Sequence, residues 1–440
     1  MAASGATLDI SVPALPATIS RHPPPQIYPG PAPASAPRAE RARQHLDSHP
    51  DTPAVLLLRD TLLDAAARGA SDIHIEPGAR DWRIRLRIDG LLHEASRPPP
   101  HLLDAFVTRI KVLARLDIAE RRTPQDGRLR LPLGPGQIEE YRVNSLPTLH
   151  GEKLVLRRLA AQATLLPLAA LGLSEPQLAV LSEALTAPHG MLLVTGPTGS
   201  GKTVSLYCFL QMLNSLSLNL CSVEDPVEIQ LAGVTQVGVR DKAGLTFASV
   251  LRAFLRQDPD VIMVGEIRDH ETADVAVKAA QTGHRVLSTL HTNDAPATLA
   301  RLLDIGIAPF NLAAAVRLVT AQRLLRKLCP ACRVAGTLSR AELRAAGFAA
   351  DDLSDGWPVF TPRGCAACHG IGYRGRVGIH QVMPISAPMR EIIVARGNAQ
   401  TLARQAYDEG VLSLRDAALA GVRTGVTSLA EALAATEAPR

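Results

Sequence analysis

A glycine-rich octapeptide between an apolar run and an amphipathic segment constrains the fold most: Gly196-Pro197-Thr198-Gly199-Ser200-Gly201-Lys202-Thr203. It matches the pattern G-x-x-x-x-G-K-[ST], with the strand-like MLLVT before it and the helix-like KTVSLYCFLQML after it. Glycines let the backbone turn its N–H groups inward around a phosphate, and the helix N-terminus adds a positive dipole end. Lys202 would neutralise the outer phosphates, and the Thr203 hydroxyl could bind Mg²⁺. A chance glycine-rich turn is the alternative, and the flanking pattern argues against it.

From Leu171 onward, short apolar runs alternate with helical patterns: MLLVT, CSV, VIMVG and RVLSTL. Fully apolar strands that alternate with helices indicate a parallel sheet covered by helices on both faces. Residues 163–440 are therefore predicted to form an α/β domain of the P-loop class. Within it, residues 326–384 carry paired cysteines, and residues 385–440 are Ala/Leu/Arg-rich and predicted to be helical.

The preceding segment, residues 51–162, is predicted to be a smaller α+β domain. Residues 51–68 have helical spacing, and SDIHIEP and WRIRLRID alternate as strands do. The alternation places three arginines of WRIRLRID on one face and the aliphatic residues on the other, and Asp89-Gly90 predicts a turn. A helix over 101–118 and strands over 128–158 complete this domain.

Residues 1–50 differ in composition from the rest of the chain. They contain ten of the 33 prolines, including three in succession, among Ala and Ser. Neither helical nor strand periodicity survives that many breakers, so a disordered Pro/Ala-rich tail is expected. An inert leader and a docking tail both remain open.

Acidic side chains follow two predicted strands. DVIMVGE ends with Glu266, where a P-loop fold needs a group for Mg²⁺ or for the attacking water. CSVEDPVE places Glu224 at the end of another strand, and the carboxyl edge of a parallel sheet is where ligands bind. A solvent-facing glutamate and a solvated turn are the respective alternatives.

Two histidines and two arginines are further candidates. His284 precedes and His291 follows the strand RVLSTL, and a strand-end histidine could sense a phosphate or orient water, although a structural role is equally open. Arg252 and Arg256 have the i, i+4 spacing of one helix face. They could meet phosphates or carboxylates of a neighbouring chain, or form a solvated basic stripe.

Two C-x₂-C pairs, Cys329/Cys332 and Cys365/Cys368, lie with 32 residues between them. Two such pairs can complete a tetrahedral set of four thiolates suited to Zn²⁺. Six cysteines in 440 residues suggest a reducing compartment, which argues against two disulfides. A redox-active C-x-x-C motif would need a thioredoxin-like context, which this sequence lacks. No open coordination position or catalytic group is identifiable here, so a structural zinc site is predicted.

The composition excludes several protein classes. The sequence contains no run of 18 consecutive apolar residues, so it predicts no membrane-spanning helix. The segment MAASGATLDI lacks the features of a secretory signal. The formal net charge of +5 is mild and diffuse, and aromatic residues are only 3%, which argues against a nucleic-acid-binding surface.

Several long segments, in order along the chain, resemble one family. TGPTGSGKT, VEDPVE, LRAFLRQDPDVIMVGEIRD and TGHRVLSTLHTNDA resemble the Walker A, aspartate, Walker B and histidine boxes of GspE/PilB-like secretion ATPases, which serve type II secretion and type IV pilus assembly. GASDIHIEP, RIDG, RIKVLARLDIAERRTPQDGR and LPTLHGEKLVLRRL resemble the second N-terminal domain of that family. The resemblance runs from about residue 51 to the C-terminus.

The resemblance implies a RecA-like motor core in a homo-hexamer, with ATP bound between the two domains near a subunit boundary. It assigns Glu266 to water activation, Glu224 to support of Mg²⁺ or water, and both histidines to coupling phosphate state to domain position. It implies that arginines of the smaller domain and of the core reach the phosphates: Arg142 and Arg157, then Arg252, Arg256 and Arg268. The four cysteines match the zinc-containing branch.

The resemblance further implies a cytoplasmic protein, peripheral at the bacterial inner membrane, whose partners are a membrane platform protein and a cytoplasmic adaptor. Members with four cysteines usually carry a further N-terminal docking domain, and only the Pro/Ala tail precedes residue 51 here. We therefore expect an ATP-driven motor for type II secretion or pilus assembly. A DNA-uptake or other nucleic-acid motor predicts basic or aromatic pore loops, and a small-molecule phosphotransferase predicts an acceptor pocket or lid; neither feature is found.

Overall fold

The structure, a computed structural model, describes residues 52–134, 137–159, 166–348 and 357–436. The first part of the described chain forms a six-stranded antiparallel sheet of spatial order β3-β2-β1-β6-β5-β4. Its strands are β1 (Asp72–Pro77), β2 (Trp82–Ile88), β3 (Leu91–Ser96), β4 (Gln125–Gly134), β5 (Gln137–Thr148) and β6 (Gly151–Leu159). Its helices are α1 (Pro53–Ala67) and α2 (Leu103–Leu113). The tail predicted over residues 1–50 lies outside the described residues.

The alternation of aliphatic residues and arginines in β2 shows which face of the first sheet is buried. Ile84, Leu86 and Ile88 are buried in a core shared with α1 and α2, and the three arginines between them face the other side. Asp89 and Gly90 have φ values of 47° and 91°, the left-handed conformation that a two-residue hairpin turn requires. The predicted strands and turn of this segment are confirmed.

A seven-stranded sheet of order β15-β12-β7-β11-β10-β8-β9 forms the second part. The four apolar runs are confirmed as parallel neighbours. They are β7 (Gly190–Thr195), β8 (Leu220–Glu224), β10 (Val261–Val264) and β11 (Arg285–Leu290). The strands that complete the sheet are β9 (Val234–Gly238), β12 (Val316–Leu328) and β15 (Tyr373–Pro384). The expected P-loop α/β architecture is therefore present.

Helices cover both faces of this sheet. They are α3 (Glu175–Thr186), α4 (Lys202–Leu213), α5 (Phe247–Phe254), α6 (His270–Gln281), α7 (Ala295–Asp304), α8 (Pro309–Ala315), α9 (Arg340–Ala346), α10 (Ala387–Val394), α11 (Ala399–Asp408), α12 (Leu414–Arg423) and α13 (Leu429–Ala435). Along β7, Met191 and Leu193 belong to one hydrophobic core, and Leu192 and Val194 belong to another. Two cores on opposite faces explain why these strands are apolar at every position. The helices predicted for residues 385–440 are confirmed as α10 to α13 within the described residues, which end at Thr436.

The long strand β12 joins the phosphate side of the sheet to the cysteines. It pairs in parallel with β7 and antiparallel with β15, and it ends at Leu328, directly before Cys329. A small two-stranded sheet of β13 (Val334–Gly336) and β14 (Val359–Thr361) follows the first cysteine pair.

The two sheets meet at the β2–β3 turn. The Asp89 carboxylate accepts a hydrogen bond of 2.8 Å from the Gly375 N–H in β15, and the Arg376 guanidinium lies 3.8 Å away. The predicted boundary between residues 51–162 and 163–440 falls in a segment outside the described residues and stays a prediction. No helix among the described ranges is both long and apolar enough to cross a bilayer.

Candidate functional site

The glycine-rich loop connects the carboxyl end of β7 to the first turn of α4. Gly196, Gly199 and Gly201 have φ values of 149°, 81° and 90°, which favour glycine. A Cβ atom on Gly196 would lie 2.5 Å from the Gln322 carbonyl oxygen, and one on Gly201 would lie 2.8 Å from the Gln322 amide nitrogen. The loop therefore needs glycine both for its conformation and for its close approach to β12.

Lys202 lies buried in this loop and donates to the loop's own carbonyl oxygens, to Gly196 at 2.7 Å and to Pro197 at 3.1 Å. Burial lowers the pKa of Lys202 to about 8, against the opposing effect of the Glu266 carboxylate. The Ser200 hydroxyl is buried and lacks a hydrogen-bond partner among the described residues, whereas Thr203 is exposed. An ammonium, an orphaned hydroxyl and a helix N-terminus around one loop fit a phosphate group.

Glu266 lies two residues beyond β10, at the same edge of the sheet as the glycine-rich loop. Its side chain is 15% exposed and contacts the Arg268 guanidinium and, at 3.3 Å, the His291 Nε2 atom. Hydroxyl groups of β11 fix the backbone before it: Ser288 donates to the Val264 carbonyl at 2.8 Å and Thr289 to the Gly265 carbonyl at 2.7 Å. Glu266 is thus a carboxylate on a fixed backbone, open to solvent on one side.

Glu224 lies at the end of β8 and is 3% exposed. One carboxylate oxygen accepts the Tyr207 hydroxyl; the other accepts Ser222 at 2.6 Å and Gln236 at 3.1 Å. Burial and this carboxylate raise the pKa of Tyr207. Three neutral donors therefore hold Glu224, and its predicted role in Mg²⁺ or water support stays a prediction.

The two candidate histidines lie at opposite ends of β11. His291 follows the strand and contacts Glu266. His284 precedes it, where its Nδ1 lies 3.0 Å from the Ala279 carbonyl and its own carbonyl accepts from Gly190, at the amino end of β7. Six strand residues separate the two by roughly 20 Å. Within one chain, the structure brings only His291 to the phosphate edge.

The three core arginines are exposed, and Arg268 lies at the phosphate edge. Arg268 contacts Glu266, and Arg252 donates to Glu271 on α6 at 2.7 Å. Arg256 lies in the turn after α5 rather than on the helix and donates to the Arg252 carbonyl at 3.0 Å. The expected shared helix face is therefore not formed, because α5 ends at Phe254.

Arg142 and Arg157 lie on the outer face of the first sheet. Strand register aligns five side chains across it, in the order Arg87, Asp72, Arg157, Arg142 and Arg128, which we call the arginine row. Asp72 is buried and accepts from Arg157 at 2.8 Å, while Arg142 lies 3.7 Å from Asp126. These contacts lie within the first sheet, and the predicted reach of both arginines to the phosphates stays a prediction.

Sequence reasoning missed two residues of β12 beside the loop. The Gln322 side chain is buried and accepts from the Ser205 hydroxyl of α4 at 2.7 Å. Arg323 donates to the Asn293 carbonyl at 2.8 Å. Burial of Lys202 is the main cause of its lowered pKa, and the positive charge of Arg323 lowers that pKa further. Both residues lie more than a hundred positions from the glycine-rich loop, in a segment without a local chemical motif, so only the strand pairing reveals them.

The four predicted zinc ligands form one cluster, with all Sγ atoms within 4.8 Å of one another. The Cys329–Cys365 separation is 3.9 Å, and those of Cys332–Cys368 and Cys365–Cys368 are 3.8 Å. Four sulfurs about 2.3 Å from a central Zn²⁺ in tetrahedral geometry would be about 3.8 Å apart, whereas a disulfide needs about 2 Å. The donor set therefore fits a zinc ion.

Backbone N–H groups support the cluster on one side. Those of Cys365 and Gly372 donate to the Cys368 Sγ at 3.2 Å and 3.1 Å. Burial alone raises the pKa of Cys368, but these hydrogen bonds, together with those of the Cys365 and Cys332 thiols, outweigh burial and lower that pKa. A thiolate stabilised in this way is suited to metal ligation, and the nearby His369 is exposed, outside the cluster.

Known proteins are similar to this chain over most of its length. The family model described as "Type II/IV secretion system protein" matches residues 47–434. The type IV pilus assembly ATPase PilB of Myxococcus xanthus is 48% identical over 391 residues, which are 89% of this chain and 69% of that protein. The type II secretion system protein E of Pseudomonas aeruginosa is 46% identical over 89% of this chain and 77% of its own. The chain spans about two thirds of the length of the PilB relatives it matches.

Solved structures agree on the fold. The ATPase DotB of Legionella pneumophila aligns with a TM-score of 0.63 and 22% identity, covering 87% of this chain and 96% of that one. The pilus retraction motor PilT, solved with bound ADP, aligns with a TM-score of 0.58 and 25% identity over 87% of this chain and 97% of that one. The protein is therefore a P-loop ATPase of the type II/IV secretion system protein family, in the GspE/PilB-like group.

Proposed function

We propose that this chain is the ATP-hydrolysing motor of a type II secretion or type IV pilus assembly machine. The observation that carries the proposal is the phosphate edge of the second sheet, where a buried lysine in a glycine-rich loop and a fixed carboxylate follow β7 and β10. The names of its relatives supply the two machines. ATP, Mg²⁺ and water are the reactants this arrangement would handle.

Each residue of the edge has a proposed role. The loop N–H groups and the Lys202 ammonium bind the outer phosphates and neutralise their charge. Thr203 is exposed at the start of α4 and supplies the hydroxyl ligand of Mg²⁺. Glu266 accepts a proton from the attacking water, and His291, 3.3 Å from it, fixes the orientation of that carboxylate. Glu224 supports the same site through its buried hydrogen bonds.

We further propose that the motor works as a homo-hexamer. The arginine row would bring Arg142 and Arg157 toward bound phosphates when the first sheet approaches the second, and Arg252, Arg256 and Arg268 would act at the subunit boundary. His284, at the opposite end of β11, would then contact a neighbouring element rather than the phosphate of its own site. Movement of one sheet against the other passes force to a membrane platform protein and a cytoplasmic adaptor, with the motor peripheral to the inner membrane.

The cysteine cluster is proposed to hold a structural Zn²⁺. All four ligand positions would be filled by thiolates, which leaves no position for substrate or water. Because Cys329 directly follows β12, the ion would fix the end of the strand whose Gln322 supports the glycine-rich loop.

The test has two stages. The purified 440-residue chain should release phosphate from ATP in the presence of Mg²⁺ and should reach hexamer mass by light scattering with a non-hydrolysable ATP analogue. Unchanged turnover on addition of DNA supports a protein-secretion motor, whereas strong stimulation by DNA contradicts it. Deletion of the gene in its host should then abolish either surface pili or an exported protein, and loss of neither would reject both machines.

A further inference from the structure

Three buried or half-buried threonines connect the glycine-rich loop to the loop that carries His291. Thr195 is the last residue of β7, directly before Gly196, and its side chain is fully buried. Thr292 directly follows His291, and Thr298 lies fully buried in the first turns of α7. We call Thr195, Thr292 and Thr298 the threonine chain.

Thr195 and Thr292 are joined twice. Their hydroxyl oxygens lie 2.5 Å apart, and the Thr292 N–H donates to the Thr195 hydroxyl oxygen at 3.0 Å. The carbonyls of Leu290 and Thr292 both lie 3.2 Å from the Thr195 hydroxyl. The residue before the phosphate loop thus contacts the backbone on both sides of His291.

The chain continues from Thr292 into α7. The Thr292 and Thr298 hydroxyl oxygens lie 2.7 Å apart, and Thr298 donates to the Asp294 carbonyl at 3.0 Å. The Asp294 side chain caps α7 by accepting from the Ala297 N–H at 2.7 Å. On the other side, Arg323 of β12 donates to the Asn293 carbonyl.

We propose that Thr292 is a positioning residue for ATP hydrolysis, which holds His291 against Glu266 through the threonine chain and ties that contact to the phosphate loop. The proposal rests on the proposed ATPase function. His291 is itself 49% exposed, and its described contact is with Glu266, so its place depends on the backbone of the loop. The Thr195 hydroxyl holds the backbone of Leu290 and Thr292, and the Thr292 hydroxyl ties that backbone to Thr298. Loss of the Thr292 hydroxyl would leave Thr195 alone to hold it and would loosen the position of His291.

A structural role alone would predict a different pattern. Buried hydroxyl hydrogen bonds each stabilise a fold modestly, so removing Thr292 could lower stability without acting on catalysis. A positioning role predicts a lower kcat with little change in the KM for ATP, because nucleotide binding belongs to Lys202 and the loop N–H groups. It also predicts that the effect disappears when His291 is removed, because Thr292 would act through that side chain.

The experiment measures Mg²⁺-dependent ATP hydrolysis by the full chain in five variants: T292V, T292S, H291A, the double variant H291A/T292V, and T320V. Valine has nearly the shape of threonine without its hydroxyl, and serine restores the hydroxyl. Thr320 is the matched control, because it is 2% exposed on the neighbouring β12 and its hydroxyl has no hydrogen-bond partner among the described residues. Thermal unfolding of each variant is recorded alongside.

We expect T292V to lower kcat about tenfold with KM within about twofold, T292S to restore most of the rate, and T320V to match the wild type. In the H291A background, T292V should change the rate by less than about twofold. Wild-type kcat in a folded T292V, or an equal further loss in the H291A background, overturns the proposal. An inactive wild-type chain would instead refute the ATPase function itself, so the two failures are distinguishable.

Discussion

The two sheets present charge in opposite ways. On the first sheet, exposed arginines stand in register across the strands and pair with carboxylates of the same sheet, as Arg157 does with Asp72. On the second sheet, the charged groups lie at the strand ends, where Lys202 is buried and hydroxyl groups of β11 fix the backbone directly before Glu266. The first arrangement is a cationic face, whereas the second is the proposed phosphate site.

This difference separates two tasks. A buried ammonium in a loop of fixed conformation only has to exchange the Gly196 and Pro197 carbonyls for phosphate oxygens, so the loop itself needs little reorganisation. Exposed arginines on a flat face lose more side-chain freedom on binding and are partly neutralised by their own partners. The second sheet should therefore determine nucleotide affinity, and the first should add rate when it approaches.

Removing the ammonium should have the largest effect. We expect Lys202→Ala to lower ATP turnover about a thousandfold or more, because the outer phosphates lose their main cation. Steady-state phosphate release measures this. Lys278→Ala is the control, since that lysine pairs with Asp274 on the surface of α6 and should keep wild-type turnover. Turnover of Lys202→Ala within tenfold of wild type would contradict the assignment.

Removing the carboxylate charge should separate binding from chemistry. We expect Glu266→Gln to lower kcat about a hundredfold or more, because the attacking water loses its proton acceptor, while ATP is still bound. Single-turnover hydrolysis and equilibrium binding of a labelled nucleotide measure the two effects. Loss of binding in a folded variant would make Glu266 a structural residue instead.

The first sheet should contribute less. We expect Arg142→Ala and Arg157→Ala each to lower kcat about tenfold with small changes in nucleotide affinity, because these arginines add charge to a site that is already formed. Arg122→Ala is the matched control, since that side chain is 89% exposed and pairs with nearby Glu120. Equal losses of kcat in the Arg142, Arg157 and Arg122 variants would show that Arg142 and Arg157 have no specific role in catalysis.

Disruption of the cysteine cluster tests whether the second sheet is stabilised by the proposed zinc site that follows β12. We expect wild-type protein to contain about one zinc per chain, and Cys365→Ser to lose it and to unfold at a lower temperature. Metal analysis and calorimetry measure these changes. In Cys208→Ser the altered residue is a buried cysteine outside the cluster, so its zinc content should be unchanged. Absence of zinc from the wild type would reject the site.

The smallest effect concerns pH. The pKa of Lys202 in the nucleotide-free chain is lowered to about 8, so its charged form predominates below pH 8 and is lost as pH rises above it. We expect kcat/KM for ATP to be level below about pH 8 and to fall above it. Bound phosphate stabilises the ammonium, so kcat at saturating ATP should fall only at higher pH. A level kcat/KM up to pH 9.5 would contradict the lowered pKa.

The sequence predicted those features that depend on local pattern. The four apolar strands, the Asp89-Gly90 turn and the cysteine cluster are present, because periodicity, turn chemistry and ligand spacing are local. Features created by strand pairing escaped prediction, namely Gln322 and Arg323 beside the glycine-rich loop and the threonine chain. The position of His284 away from that loop agrees with its place before the predicted strand RVLSTL, whereas His291 follows that strand.

The decisive measurement is equilibrium binding of radiolabelled ATP with Mg²⁺ to the 440-residue chain, beside Lys202→Ala of verified fold. We predict saturable binding by the wild type that the variant loses. Failure of the wild type to bind at any accessible nucleotide concentration, or undiminished binding by the variant, would show that the glycine-rich loop is not the phosphate site.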